Sequence, residues 1–397
     1  MIKSISKNNF KTLFFSCIIA LIFCLTKCHI SYSFFKRIIE YLSIIISISI
    51  YLIYIKRNKY SKFVITFLLY LIVLILATLL NSNASINIIM KIYFLITAVI
   101  MYFDIIDFKK ESSKYIIKGW YYAFYLITLI NFITIIVYPN GMYKNSIYTN
   151  NWFLGYDNTH ICFFYSTILF MFLDKYLSKR KYKLFDFTIL VLITIQVFYC
   201  FSANSIVSFI VFIFLTSLFT IKRKNKNSFK LNIKNFYLIN LLFNLFFVVL
   251  RIQEKFEWLI VGVLGKKLDF SGRTVIWDKV VSLIRKQTFI GYGQEPVEII
   301  SNKLGNAAFA HAHNTILDIT YKSGLLGLCL HSALHIQVIK ELYSTKNNKL
   351  AIYVSILLFS FIILTIMEAR QENFNLYLVL IIAFNIKKII KGEPSNE

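Results

Sequence analysis

The residues best suited to chemistry gather in one polar stretch, residues 251–315, whose last motif is His311-Ala312-His313-Asn314. An imidazole titrates near neutral pH, so His313 is a candidate general base for a hydroxyl, and Asn314 beside it could orient a sugar. A metal site is the weaker interpretation, because two histidines are too few ligands and the sequence offers no obvious third or fourth. A plain pair of surface histidines is the simplest alternative.

Arg273 is the second candidate, and it stands at the start of a predicted amphipathic helix. Free backbone N–H groups and the positive end of the helix dipole meet a two-pronged guanidinium there, which suits a phosphate. The structural alternative is an arginine paired with Asp269 or Asp278. Arg251 is a further cation at the predicted membrane boundary, where the simpler interpretation is a side chain that reaches the interface.

Further candidates for substrate binding stand at predicted turns and helix ends. Residues 150–160 contain Asn158 and combine aromatic rings with amides, a composition that suits sugar rings but also fits an interfacial aromatic belt. In the polar stretch, Gly291-Tyr292-Gly293 predicts a flexible turn, and Pro296 predicts the start of a second short helix. The remaining candidates are Trp277, Tyr292, Glu368 and Asp318, which we expect to pair with Lys322 one helical turn later.

The elements that must position these residues are apolar helices. Hydrophobic residues make up 58% of the 397 residues and charged residues only 16%, which excludes a disordered chain, a disulfide scaffold and a typical soluble enzyme. A bilayer span needs roughly 17–25 mostly apolar residues. Twelve runs are candidates, at 12–30, 38–55, 63–80, 86–103, 119–138, 159–174, 184–201, 203–221, 236–250, 316–338, 350–367 and 374–389.

The distribution of positive charge predicts the orientation. With the N-terminus inside, the inner segments carry 28 Lys and Arg and the short outer loops carry 5, so both termini are expected in the cytoplasm and residues 251–315 outside. The net charge of +25 then requires no nucleic-acid partner. The six cysteines lack paired spacing and lie mostly in apolar runs, which predicts buried apolar residues rather than disulfides or metal ligands.

The predicted fold class is therefore an all-α polytopic membrane protein with about twelve transmembrane helices and one large external loop that contains short amphipathic helices. We expect three parts. Residues 1–250 hold transmembrane helices 1–9, residues 251–315 form the external catalytic loop, and residues 316–397 hold helices 10–12 and a cytoplasmic tail.

A set of short motifs follows a definite order along the chain: Ser271-Gly-Arg-Thr-Val-Ile-Trp, Gly291-Tyr-Gly, His313-Asn-Thr-Ile-Leu and Gly324-Leu-Leu-Gly. This set, with Phe153-Leu-Gly-Tyr-Asp-Asn-Thr-His before it, resembles the O-antigen polymerase and ligase family of bacterial membrane proteins, which includes the Wzy-type repeat-unit polymerases. Many members carry a Ser-Arg pair near the seventh and eighth spans. This chain has Ser202-Ala203-Asn204 there, so no role for an arginine is expected at that place.

The resemblance implies glycan transfer at the outer face of the bacterial cytoplasmic membrane. It implies a polymerase for capsule, O-antigen or exopolysaccharide that moves the growing glycan from undecaprenyl pyrophosphate onto the next lipid-linked repeat unit, with His313 and Arg273 as catalytic residues. No cofactor or metal is expected, because arginine can stabilise a pyrophosphate leaving group. The expected partners are the lipid-linked oligosaccharides, the bilayer, and a flippase and chain-length regulator of the same pathway.

Three alternatives stay open. A ligase of the same family would pass the glycan to a lipid or protein acceptor. A transporter or flippase of lipid-linked sugars would need several charges deep in the spans, and the sequence shows few: Lys91, Asp318 and Lys322. A structural membrane protein without chemistry is the third.

Overall fold

The computed structural model describes residues 6–57, 59–144, 150–224, 233–251, 273–305 and 310–392, and within these ranges it is almost entirely helical. The helices are α1 Lys7–Leu25, α2 Ser33–Lys56, α3 Lys62–Leu79, α4 Ile86–Ile105, α5 Ser112–Val137, α6 Asp157–Leu177, α7 Leu184–Tyr199, α8 Ala203–Lys224, α9 Ile233–Phe243, α10 Arg273–Lys286, α11 Val297–Leu304, α12 Thr315–Ser344, α13 Lys349–Met367, α14 Phe374–Phe384 and α15 Ile386–Lys391. A π-helical turn, Asn244–Val249, extends α9.

Helices lie at all twelve predicted positions, and the helical multi-pass character of the protein is confirmed. Among the described residues, eight helices are long and apolar enough to cross a membrane: α1 to α5, α8, α12 and α13. The apolar helices α7, α9 and α14 are shorter. The number of twelve spans stays a prediction. The purely helical expectation needs one correction, since β1 Asn151–Trp152 and β2 Gly155–Tyr156 pair as a short antiparallel hairpin before α6.

The outer helices carry apolar side chains to the surface. On α2, Ile45, Leu52 and Ile55 are each more than half exposed. By contrast, α14 is buried from Phe374 to Ala383 and packs against α4, α6, α12 and α13. An apolar outer surface of this extent marks a membrane-facing protein.

The described part of the polar stretch contains the two short helices that the sequence predicts. Helix α10 begins at Arg273 and buries its apolar face, Ile276, Trp277 and Val280. Helix α11 follows Pro296 and ends at Gly305, which adopts a left-handed conformation. Residues 252–272, which include Ser271 and Gly272 of the first motif and also Asp269, lie outside the described residues.

Helix α12 is interrupted at Gly324, and the Gly-Tyr-Gly segment docks into the interruption. Gly324 has φ +63° and ψ −168°, a conformation that in practice only glycine adopts. Tyr292 and Gly293 donate their N–H groups to the carbonyls of Tyr321 and Lys322, both at 2.8 Å. The prediction of a flexible turn at 291–293 is therefore wrong, because these backbone bonds hold the segment against α12.

Replacing Gly324 with alanine is expected to reduce the amount of folded protein in the membrane. A Cβ atom at this position would lie 2.1 Å from the carbonyl oxygen of Phe289, and the backbone conformation alone costs about 1–3 kcal/mol for other residues. Ser323→Ala is the matched control, since it adds no atom beside the same turn. Equal melting temperatures for the two purified variants would contradict this account.

Candidate active site

The buried carboxylate of Glu368 lies next to three other predicted site residues. Glu368 directly follows α13 and is 7% exposed. Its Oε1 atom accepts from Arg273 Nη2 at 3.0 Å and from the Asn158 amide at 3.3 Å. Its Oε2 atom lies 3.5 Å from His313 Nδ1. The four residues come from separate segments of the chain, so only folding brings them together. We call them the Glu368 cluster.

The partners of Glu368 keep it charged. Burial by itself would raise the pKa of this carboxyl, but the neighbouring His313 and the positive charge of Arg370 outweigh it and lower the pKa to about 2. A carboxylate in this state holds an arginine by charge, and it can stabilise an imidazolium that forms beside it.

The loop that carries His313 is held by its own backbone. His313 has φ +48°, a conformation that few residues other than glycine adopt and that is often found at functional sites. Its N–H donates to His311 Nδ1 at 3.1 Å, and the Ala312 N–H donates to Asp318 Oδ1 at 3.0 Å. Burial, followed by the neighbouring His313, lowers the pKa of His311 to about 4. His311 is therefore neutral at physiological pH and can serve as the acceptor in this turn.

A buried ionic cluster supports residues 311–314, which we call the histidine loop. The predicted pair of Asp318 and Lys322 is confirmed at 2.8 Å, and both side chains are almost fully buried. Lys322 also contacts Glu372 at 2.5 Å, and Gln371 donates to Asp318. Removing one member of a buried ion pair costs several kcal/mol. Asp318 is therefore well placed to hold the loop, and its predicted contact with substrate stays a prediction.

Asn314 ties the start of α12 to the end of α13. Its side-chain oxygen accepts from the Leu317 N–H at 3.0 Å and so caps α12, and its amide donates to the Ile366 carbonyl at 2.9 Å. The side chain is fully buried, and its amide also donates to Asn244. These contacts position the histidine loop next to Glu368, while the predicted contact with a sugar hydroxyl stays a prediction.

Arg251 and Arg273 form ion pairs with different carboxylates. Arg251 pairs with Asp278 and donates to the Thr274 carbonyl at 2.9 Å, so it packs on the first turns of α10. Since Arg273 pairs with Glu368 instead, the suggested structural pair of Arg273 with Asp278 is wrong. Asp269, the other suggested partner, lies outside the described residues.

Two of the predicted substrate contacts are packed against protein. Trp277 is fully buried on α10. The ring of Tyr292 stacks on Tyr321 with centroids 5.0 Å apart, and its hydroxyl donates to the Leu283 carbonyl at 3.2 Å. The Tyr292 ring helps to hold the polar stretch onto α12, and binding of sugar by either residue stays a prediction.

The aromatic and amide-rich stretch contributes Asn158 to the site. Trp152 is buried and its indole N–H donates to the Tyr138 carbonyl at 2.8 Å, so this ring is not an open platform for a sugar. The side-chain oxygen of Asn158 accepts a hydrogen bond from Ser202, and its backbone carbonyl accepts one from Arg370 at 2.7 Å. These two hydrogen bonds fix Asn158 at the Glu368 cluster.

The sequence did not show the hydrogen bonds that hold the backbone of Glu368 and Arg370 in place. The Thr315 hydroxyl donates to the Glu368 carbonyl at 2.8 Å and accepts from the Arg370 N–H at 2.9 Å. The sequence does single out Arg370, because Arg370 and Glu368 stand together at the end of an apolar run, where a simple interfacial cluster is the alternative. No local pattern singles out Thr315 or Ser202.

An apolar cavity of about 500 Å³ opens beside Arg273. Its walls come from α8, α9 and α13, and Arg273 is the only charged side chain among the described residues that line it. The apolar lining includes Val207, Val211, Ile239, Phe359, Ile363 and Ile366. An apolar cavity with one guanidinium in its lining matches an amphipathic ligand with an anionic head and a hydrocarbon chain. We call it the α8/α9/α13 groove.

A third possible metal ligand appears only in the folded structure. Ligand atoms of His311, His313 and Glu368 lie within 4.8 Å of one another. The sequence showed no third ligand for the histidine pair, and Glu368 corrects this point. The same carboxylate is already bound by Arg273, and a guanidinium beside the ligands opposes the binding of a cation.

The fold and the site define a helical integral membrane protein whose buried carboxylate holds an arginine and a histidine beside an apolar groove. Residues 163–332 match the Wzy_C family model, described as O-antigen ligase, which confirms the resemblance to the O-antigen polymerase and ligase family. The matched segment contains Arg273 and His313, whereas Asn158 and Glu368 lie on either side of it. No curated protein matches the chain.

Acidification should remove the stability that Glu368 provides. Its folded-state pKa of about 2 lies below the ordinary value of 4.5, so its contribution is present above about pH 4.5 and is lost as pH falls towards 2. The shift corresponds to a contribution on the order of 3 kcal/mol. Melting temperatures of the wild type and Glu368→Gln should therefore differ most near pH 6 and converge near pH 2, and a constant difference would contradict the assignment.

Proposed function

We propose that this protein polymerises lipid-linked oligosaccharide repeat units for capsule, O-antigen or exopolysaccharide. It moves the growing glycan from undecaprenyl pyrophosphate onto a hydroxyl of the next lipid-linked unit, without a metal or a cofactor. The observation that carries this proposal is the Glu368 cluster, which joins a cation and a base at the mouth of an apolar groove. The family match, to a model described as O-antigen ligase, supports glycan transfer in a membrane.

Arg273 and the α8/α9/α13 groove suit the donor. The undecaprenyl chain occupies the apolar groove, and its pyrophosphate meets the guanidinium at the end of that groove. When the bond between the anomeric carbon and the pyrophosphate oxygen breaks, negative charge grows on that oxygen. Arg273 stabilises this charge, which makes undecaprenyl pyrophosphate a better leaving group.

His313 suits the acceptor. It takes the proton of the acceptor hydroxyl while the oxygen of that hydroxyl bonds to the anomeric carbon. The products are the extended glycan, undecaprenyl pyrophosphate and a protonated His313. Glu368, 3.5 Å from the imidazole, stabilises the positive charge that forms.

The shared carboxylate links the two halves of the reaction. In this structure Glu368 divides its charge between Arg273 and His313. A bound pyrophosphate competes for Arg273, which leaves more of the carboxylate charge to His313 and makes the imidazole a stronger base. Donor binding thereby prepares the base for the acceptor.

The proposed topology has twelve spans, both termini in the cytoplasm and residues 251–315 outside. The Glu368 cluster supports it, because α6 and α10 begin and α13 ends at one end of the bundle. The predicted topology places that end outside. Residues 1–250, 251–315 and 316–397 then act as a membrane part, an external catalytic loop and a closing membrane part. A flippase and a chain-length regulator are the proposed partners.

Two other functions make different predictions. A ligase of the same family uses the same donor site but passes the glycan to a lipid or protein acceptor. Each product molecule then carries one transferred glycan and is not extended by further repeat units. A transporter or flippase moves lipid-linked sugars across the bilayer without joining them. Incubating the purified protein with a defined lipid-linked repeat unit separates the three, since only a polymerase yields a ladder of repeats.

Labelling of single cysteines tests the topology. In a variant whose six native cysteines are replaced, Asn302→Cys on the exposed surface of α11 should react with a membrane-impermeant maleimide in intact cells. Asn347→Cys, between α12 and α13, is the matched inner position and should react only after lysis. The reverse pattern would overturn the proposed orientation.

Arg273→Ala should reduce polymer formation by about 10²–10³-fold, the usual effect of removing one donor that stabilises transition-state charge. Arg273→Lys should restore activity only in part, because an ammonium lacks the fork of a guanidinium. Arg285→Ala, on an exposed position of the same helix, is the control. Polymer of normal chain length in Arg273→Ala cells would refute this role of Arg273.

Activity of the purified wild type in excess chelator tests whether the reaction is independent of metal.

His313→Ala should slow polymerisation by about 10²–10⁴-fold and leave donor binding largely intact. His311→Ala removes an acceptor for one backbone hydrogen bond, so it should cost about tenfold or less. A base must be neutral to act, so the wild-type rate should rise from pH 5 to pH 8. A falling rate would instead identify His313 as a cationic clamp for phosphate.

A further inference from the structure

A second cavity lies in a different part of the bundle. This cleft, of about 620 Å³, is lined by residues from α2 and α4 and from the end of α1. Its apolar walls are Ile44, Met90, Phe94 and Leu95, and its charged members are Lys27, Glu40 and Lys91. We call it the α1/α2/α4 cleft.

The two lysines outnumber Glu40 in the cleft, and neither ammonium group is paired by contact with a described carboxylate. Among the described residues, no carboxylate lies within 4 Å of the ammonium groups of Lys27 or Lys91. Burial lowers the pKa of Lys27, although the charge of Glu372 opposes this effect. Cations that line a cavity among membrane helices mark the site of a charged ligand by default, and the apolar walls match the lipid chain of such a ligand.

Backbone contacts place the cleft at the same end of the bundle as the active site. The His29 N–H, two residues after Lys27, donates to the Phe153 carbonyl at 2.8 Å, beside the hairpin that leads to Asn158. The Ser85 N–H, just before α4, donates to the Gln294 carbonyl at 2.8 Å. The cleft thus lies at the end of the bundle where the hairpin before Asn158 and the segment after Gly293 also lie.

A chain of charges connects the cleft to the histidine loop. Lys27 interacts electrostatically with Glu372, which contacts Lys322 at 2.5 Å. Lys322 pairs with Asp318 at 2.8 Å, and Asp318 accepts from the Ala312 N–H between the two histidines. Lys27 is therefore linked, through Glu372 and Lys322, to the carboxylate that holds the loop of His313.

We propose that the α1/α2/α4 cleft binds the phosphate headgroup of a second lipid, with Lys27 and Lys91 as its anion-binding residues. The site rests on the proposed function, for which it supplies the acceptor lipid. The donor occupies the α8/α9/α13 groove with its pyrophosphate at Arg273. The acceptor enters through the other cleft, and its sugar extends across the Glu368 cluster to His313.

Binding stoichiometry of the full-length protein tests the proposal. Native mass spectrometry of the protein with undecaprenyl pyrophosphate should show two bound lipids for the wild type. Lys27→Gln/Lys91→Gln should show one, with binding at the altered site weakened by about a hundredfold, since each charge-assisted hydrogen bond to phosphate accounts for roughly tenfold. Lys27→Arg/Lys91→Arg should keep two, which separates lost charge from misfolding. Lys36→Gln, an exposed position on α2, is the control.

The same experiment separates this inference from the donor site. Arg273→Ala should also show one lipid, and the three substitutions together should show none. If the lysine variant binds as many lipids as the wild type, the cleft is not a lipid site, whatever the result for Arg273. Inorganic pyrophosphate at millimolar concentration should displace the lipid only weakly, and displacement at equal concentration would show a site for the free anion and overturn the lipid assignment.

Discussion

The arrangement of the site depends on one requirement, which is that the buried charge of Glu368 must be satisfied. A carboxylate out of water is costly unless cations and hydrogen-bond donors surround it. Here the donors come from α6, α10 and the loop before α12, and the carboxylate comes from the end of α13. The same contacts that satisfy the charge therefore collect the residues that the proposed reaction needs.

Backbone bonds supply the rigidity that such a site requires. The break in α12 at Gly324 exposes carbonyl groups, and residues 291–293 of the polar stretch bind them. At the other end of the same half-helix, Asn314 caps α12 and bonds to the end of α13. His313 therefore stands between two fixed points, and its left-handed backbone is held by the contacts of its neighbours.

Two groups of buried charge flank the loop that carries His313. The Glu368 cluster faces the apolar groove through Arg273, and the buried group of Asp318, Lys322 and Glu372 links the histidine loop to Lys27. Buried ion pairs contribute little to net stability, but breaking one is expensive. A site connected in this way can respond to the charge of a ligand without a large movement of helices.

The sequence by itself determined the helices, because apolar runs of bilayer length leave few other structures for the backbone. It also identified Arg273 and His313, since residue type and local motif suffice to suggest their chemistry. It could not show that Glu368 joins them, that Asp278 pairs with Arg251, or that the Gly-Tyr-Gly segment is docked rather than flexible. These contacts join residues that are distant in the sequence. Arg273 and Glu368, for example, are 95 positions apart. Packing of helices decides such contacts, and no local pattern records it.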